Sequence, residues 1–285
     1  MELSENKNAT RLSVTEKVKR FYDIGSPYYL KVFGKHIHDG YYLTGKESRD
    51  EAQENLIKLL VDKAKIQVGS KILDVGCGIG GSSIWLAKNL DAQTVGITIS
   101  PGQIEIAEKM AQEQNANSVF LLMNAEEMDF SEPFDVVWLV AALTHFNNQE
   151  NFFRLAARHL RKKGKFIFYD WTINEDISDL RNDGDIRSII EGMVLANLYS
   201  NNDYLKWLME AGYRITYTED ITAKTLKTWS VALSLLKKPA IWEYVYKIAR
   251  EEGTEVFSFL KSLQTMKRSM LKGKVKASVI VAEKI

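Results

Sequence analysis

The stretch KILDVGCGIGGSSIWLAKNL, residues 71–90, runs from an apolar strand through a glycine-packed turn into an amphipathic helix pattern. Gly76, Gly78 and Gly81 satisfy the spacing GxGxxG, expected where a strand turns into a helix beneath a dinucleotide pyrophosphate. Glycines there let the backbone approach a ligand, and the free N–H groups that open the helix suit negative charge. The turn therefore points to a nucleotide-like ligand without identifying it.

Outward from this turn, short β-branched runs recur between helical patterns: QTVGIT, SVFLLM, FDVVWLV, GKFIFYDW, RITYTED and KASVIVAEK. With SSIWLAKNL, SPGQIEIAEKMAQEQ, NQENFFRLAARHLRKKG and NDYLKWLMEAGY as helices, the alternation predicts an α/β fold. The sheet is expected to be doubly wound, Rossmann-like and seven-stranded, with helical lid insertions. Residues 1–69 form a cap and 70–171 the ligand-binding core. Residues 172–221 hold a first lid and the sixth strand, 222–273 a second lid, and 274–285 the last strand. Ile186, Ile189, Ile190, Met193 and Val194 share one helical face in the first lid. Val256, Phe259, Leu260, Leu263, Met266 and Met270 do so in the second. Both stripes suit core packing, and both suit a roof over the carboxyl ends of the strands, where open α/β sheets bind ligands.

The 285 residues carry 38 basic and 37 acidic side chains, a net charge of +1 that argues against nucleic acid as partner. Cys77 is the one cysteine, so no intramolecular disulfide forms and a reducing compartment suits the chain. MELSENKNATRLSVTEKVKR lacks both the apolar core of a secretory signal and the composition of a transit peptide. No apolar run is long enough to span a bilayer, so no membrane insertion and a cytoplasmic location are expected.

A dinucleotide site needs an acid about 20 residues past the glycines, at the end of the second strand. That strand ends here in Gly96, Ile97 and Thr98. Asp74 lies instead inside the first strand, where an anion suits a ligand carrying positive charge.

ILDVGCGIGG closely resembles the first motif of class I S-adenosylmethionine methyltransferases. The resemblance implies that the glycine turn, with Gly76, Gly78 and Gly80, packs against the methionyl portion while Asp74 orders its amino end. GITISPGQ resembles a subgroup containing tocopherol methyltransferases and cyclopropane fatty acid synthases, in which Thr98 and Gln103 would take over ribose and backbone contacts. NAEEM resembles the adenine-contacting segment, with Asn124 in place of the usual acid, followed by Ala125 and Glu126. FYDIGSPYYLKVFGKHIHDGYY resembles the N-terminal signature of the tocopherol-type enzymes, which folds over the cofactor, and the late helices and last strand are similar as well. Tyr22, Ile99 and Val140 complete the implied cofactor contacts. The loop after the fourth strand departs from plant-type members, with Thr144 where they often carry glutamate before His145.

Methyl transfer from a sulfonium is an in-line displacement in which positioning does most of the work. A base near neutral pKa helps when the acceptor must lose a proton. His145 is the candidate catalytic residue, at the carboxyl edge of the sheet, and its alternative role is packing behind the cofactor. His38, Asp170 and Met193 are the candidate substrate contacts. His36 and His38 also suit simple loop hydrogen bonds, and HIH lacks a third ligand at metal spacing, so no metal is expected. The expected partner is a small-molecule methyl acceptor that is fairly apolar (aromatic, prenylated or alkaloid-like), bound by a monomer or homodimer. HIHDGYY also resembles glycine-type N-methyltransferases, which would require convergent arginines, here Arg181 and Arg187. A cofactor-binding scaffold or cyclase that transfers no methyl is the remaining alternative.

Overall fold

A computed structural model describes residues 12–177, 182–252 and 255–285. Two helices come first, α1 (Val14–Phe33) and α2 (Arg49–Ala64), each opened by a capping box, Ser13 with Glu16 and Ser48 with Glu51. The core follows as β1 (Lys71–Val75), α3 (Gly81–Leu90), β2 (Gln93–Thr98), α4 (Pro101–Gln114), β3 (Ser118–Leu122), β4 (Phe134–Val140), α5 (Gln149–Arg158) and β5 (Leu160–Ile173). Then come α6 (Gly184–Gly192), α7 (Asn201–Glu210) and β6 (Tyr213–Asp220). Four helices, α8 (Thr222–Thr225), α9 (Lys227–Leu235), α10 (Pro239–Glu252) and α11 (Glu255–Leu271), precede β7 (Val275–Lys284).

The seven strands lie in the order β3-β2-β1-β4-β5-β7-β6. All neighbours are parallel except β7, which runs antiparallel to both β5 and β6. The strand order reverses between β1 and β4, which opens a crevice at their carboxyl ends. Both faces of β4 are covered, as its apolar run from Val136 to Val140 requires. Val136, Trp138 and Val140 join the core under α2, α6 and α11, while Val137 and Leu139 join the core under α5 and α7.

Two expectations change. The helix read through NQENFFRLAARHLRKKG stops at Arg158, and β5 already begins at Leu160. Leu160 is buried and pairs with Phe134, so burial of the strand start overrides the helical pattern, and Lys163 turns through positive φ to restore the register. In the first lid, α6 ends at Gly192, and Val194 leaves the helical face with φ 54°. Ile186, Ile189 and Met193 do pack into the core.

Candidate active site

A cavity of about 150 Å³ opens at the carboxyl ends of β1, β2 and β4, roofed by α1 and the segment 35–38. Every residue that the sequence nominated for cofactor contact lines it except Gly80. His38 and His145 line it as well.

The glycine turn works by close approach. A Cβ on Gly76 would stand 2.4 Å from Ala142 Cβ, and one on Gly81 would stand 2.1 Å from the Lys35 carbonyl oxygen. Gly81 thus lets the N-terminal cap sit on the turn. Gly80 plays another part: with φ 82° it starts α3, and a Cβ there would strike Phe120 and Ala107. It packs helix on sheet and is off the cavity wall.

Asp74 is buried, and its Oδ2 accepts the Ser83 hydroxyl at 2.6 Å. Burial pushes its carboxyl up to about 7, against the opposing effect of the Ser83 bonds. The site therefore holds an acid whose ionised form calls for a cation. Thr98 donates its hydroxyl to Gln103 Oε1 at 2.6 Å. That bond fixes the Gln103 amide so that Nε2 lies beside Gly78, 3.9 Å from where a Cβ would stand. Thr98 orients Gln103, and the donor toward the cavity is the glutamine. Asn124 Oδ1 accepts the Glu126 backbone N–H at 3.0 Å, capping a short turn. The Glu126 carboxylate accepts from the backbone N–H groups of Asn147 and Asn148 and tethers the loop after His145.

His145 is held at both nitrogens. Nδ1 lies 3.0 Å from the Val194 carbonyl oxygen, which only accepts, so Nδ1 carries the proton and Nε2 accepts the Tyr22 hydroxyl at 3.0 Å. Burial lowers the imidazole to about 4, leaving it neutral near pH 7. Burial likewise raises the Tyr22 phenol well above its ordinary value, with the Asp170 carboxylate adding to the rise.

Two nominated substrate residues lie elsewhere. Asp170 is on none of the cavity walls: it accepts the Thr144 backbone N–H and hydroxyl and the Trp171 N–H, tying the loop that carries His145 to β5. A carboxylate at the end of a buried strand meets backbone donors before it meets solvent. Thr144, the departure noted in the sequence, is its partner. Met193 misses the cofactor cavity but lines a second one of about 100 Å³.

That second cavity is a throat. It shares Tyr22, His36, Ile37, His38, His145 and Trp171 with the first. It shares Phe21, Tyr29, Ala232, Phe259 and Leu263 with a third, a chamber of about 610 Å³ among α1, α9, α10 and α11. Trp171 and Asp39 were not foreseen. Asp23 was missed too: its Oδ1 accepts the Ser100 hydroxyl at 2.5 Å, pinning α1 to the start of α4. The repeated tyrosines around Asp39 were the available signal, and no local spacing marked the acid itself.

An acid awaiting a cation, a glycine turn open to close contact and a fixed amide donor together fit an S-adenosyl amino acid. The sequence pattern of the mycolic acid cyclopropane synthetase family matches residues 9–264. The chain belongs to that family. It is an S-adenosylmethionine-dependent methyltransferase of small molecules, as the opening motif implied. It is 28% identical to 27-O-demethylrifamycin SV methyltransferase of Amycolatopsis mediterranei over 76% of this chain and 80% of that one. It is 26% identical to a probable chloroplastic tocopherol O-methyltransferase of Oryza sativa subsp. japonica over 94% and 78%. Its fold matches the crystal structure of the mycolic acid cyclopropane synthase CmaA1 complexed with SAH and CTAB, with a TM-score of 0.82 at 21% identity, covering 94% of this chain and 97% of that one.

Proposed function

We propose that the chain methylates a small, fairly apolar metabolite, aromatic, prenylated or alkaloid-like, at carbon, nitrogen or oxygen. The observation that carries this reading is the run of three cavities in series, ending in a large chamber walled by Phe21, Tyr28, Leu235, Phe259 and Leu260. Such a wall gains from burying apolar surface, and the charged side chains of Lys17, Arg20, Glu191 and Glu255 stand among its lining residues. Of the two arginines nominated for the glycine-type alternative, Arg187 is exposed and lines none of the three cavities, and Arg181 lies outside the described residues; the arginines that do line them are Arg20 in the chamber and Arg49 in the throat.

S-adenosylmethionine, when bound, supplies a methyl group on a positively charged sulfur. Asp74, Gly76, Gly78, Ile99, Gln103, Asn124, Ala125, Glu126 and Val140 would hold it, with Thr98 orienting Gln103 and Tyr22 reaching over from α1. The partition between cofactor cavity and throat aligns the acceptor and keeps water out. His145, neutral and fixed by Val194, sets the Tyr22 hydroxyl in that partition, so the two act as one positioning pair. His38 and Met193 would meet the acceptor in the throat.

The chain divides into the cap 1–69, the core 70–171, the first lid with the sixth strand 172–221, the second lid 222–273 and the last strand 274–285. It works in the cytoplasm as a monomer or homodimer. Among the described residues no helix is long and apolar enough to cross a membrane. The test is transfer of isotopically labelled methyl from S-adenosylmethionine to prenylated phenols, terpenoid alcohols and alkaloid amines. Labelled product supports the reading. A product formed without label would mark a cyclase or other scaffold, and label appearing only in glycine-like amines would overturn the acceptor class.

A further inference from the structure

One wall of the throat is polar, and its hydrogen bonds do not close. The segment between α1 and α2 carries His36, His38 and Asp39, all buried. Gln53 of α2 holds it by donating Nε2 to the carbonyl oxygens of His36 and His38, each at 2.9 Å, which leaves Gln53 Oε1 buried without a donor. His38 gives its Nδ1 proton to the Asp39 carbonyl at 2.8 Å, so Nε2 is a lone pair, and it too is buried without a donor. Asp39 accepts the Tyr169 hydroxyl at 2.6 Å and the Trp171 indole N–H at 2.8 Å, both on Oδ2. Among the described residues no hydrogen bond reaches Asp39 Oδ1 and no cation pairs with it. The Arg49 guanidinium, on the same throat, is engaged by Asp50 and the Val32 carbonyl. Trp229, also on the throat, holds a buried indole N–H without an acceptor.

A native interior rarely leaves so many polar atoms open together, and a buried carboxylate without a cation is costly unless a ligand completes it. The buried open atoms on the throat are of both kinds: acceptors on His38 and Gln53, a ring nitrogen of His36, the Tyr42 hydroxyl and a donor on Trp229, and Asp39 Oδ1 adds an acceptor that no described residue reaches. A protonated amine only donates, and a carbonyl only accepts. A hydroxyl group does both.

We propose that the acceptor presents a hydroxyl group to this wall and that Asp39 Oδ1 takes its proton as the oxygen is methylated. This rests on the reading that small apolar acceptors occupy the chamber, and it narrows their reactive atom to oxygen. In the step, an oxygen lone pair forms the bond to the methyl carbon while the carbon–sulfur bond breaks and leaves its pair on sulfur. The O–H bond breaks as well, its pair staying on oxygen and its proton passing to Asp39, which becomes a neutral carboxylic acid. Tyr169 and Trp171 hold Oδ2, so the direction of Oδ1 is set before the acceptor arrives. Burial pushes the Asp39 carboxyl up to about 6, close to the range in which a base both accepts a proton during reaction and releases it afterwards. The hydroxyl becomes strongly acidic as its oxygen gains charge, so this basicity suffices.

The test uses 2-naphthol, 2-methoxynaphthalene and 2-naphthalenethiol, each of which offers the chamber the same ring system. In calorimetry on the intact protein with S-adenosylhomocysteine present, 2-naphthol should bind about tenfold more tightly than the ether, the scale of a hydrogen bond to a charged group. Equal binding overturns the hydroxyl assignment and leaves the apolar chamber standing, whereas no binding of any of the three sinks the chamber reading as well. Asp39→Asn should lower methylation of 2-naphthol by about 100-fold to 10,000-fold. Methylation of the thiol, which ionises without help near neutral pH, should fall less than about tenfold. S-adenosylhomocysteine affinity should stay unchanged in that variant. Equal losses for alcohol and thiol would make Asp39 a structural residue, and absence of 2-naphthol methylation by the unaltered protein would overturn the proposal.

Discussion

The cofactor cavity and the acceptor chamber lie side by side but are built on different terms. The cavity is made of strand ends and one turn, where backbone approach decides the shape: Gly76 against Ala142 and Gly81 against the Lys35 carbonyl leave no room for even a methyl group. The chamber is made of helices drawn from both ends of the chain, and its wall is side chains such as Phe21, Tyr29 and Phe259 that touch edge to face or tilted. The contrast teaches where change is tolerated. A backbone-shaped site recognises one cofactor, and a side-chain-shaped site adapts to different acceptors.

Gly81→Val should break the first term outright. The new side chain would drive the cap off the turn, lowering S-adenosylhomocysteine affinity by about 3 kcal/mol, roughly 100-fold. Calorimetry that finds full affinity in this variant would show that the cavity is as adaptable as the chamber. The partition between the two regions is the next place to press. Tyr22→Phe and His145→Ala should each lower turnover by about 30-fold to 100-fold through misplacement, with cofactor affinity nearly intact. The double variant should be no worse than either single one, since they form one pair. Multiplying losses in the double variant would mean that the two residues act separately.

Asp74 sharpens the electrostatic side of the contrast. Its carboxyl is protonated below about 7 in the empty site, and a cationic ligand favours the ionised form. Affinity for S-adenosylmethionine should therefore rise with pH and level off above that value. One unit below it, binding should be roughly tenfold weaker, because the proton must first be lost. Asp74→Asn should flatten this dependence, and a profile that stays sloped in the variant would assign it to another group. The mildest effect belongs to the chamber. Phe259→Ala should shift acceptor preference toward bulkier molecules by about 3-fold to 10-fold without changing cofactor affinity. A change in cofactor affinity of the same size would mean that the two regions are mechanically coupled.

Much of the cavity was legible in residues 71–126 because its contacts are local: a strand, its turn and the next two strand ends follow one another in the chain. The α/β alternation made the sheet readable for the same reason. Adjacent glycines look alike in sequence, and only Phe120 and Ala107 packed behind Gly80 distinguish its surroundings from those of Gly81. The end of the fifth strand at the carboxyl edge marks Asp170 for a substrate contact in sequence, and in the fold Thr144 occupies its carboxylate.

Sequence by itself determined the order of the seven strands and the core helices between them, the glycine turn, the acid of the first strand and the absence of an acid at the end of the second, since these depend on spacing and on residue type. Tertiary structure alone decided which nitrogen of His145 carries the proton, because the Val194 carbonyl comes from a segment 49 residues away. It also decided that Asp39 accepts from Tyr169 and Trp171, partners 130 and 132 residues distant, with no cation beside it among the described residues. The chamber, too, exists only once α1 meets α10 and α11. Hydrogen-bond partners and cavities belong to the folded arrangement, and no local pattern records contacts over such separations.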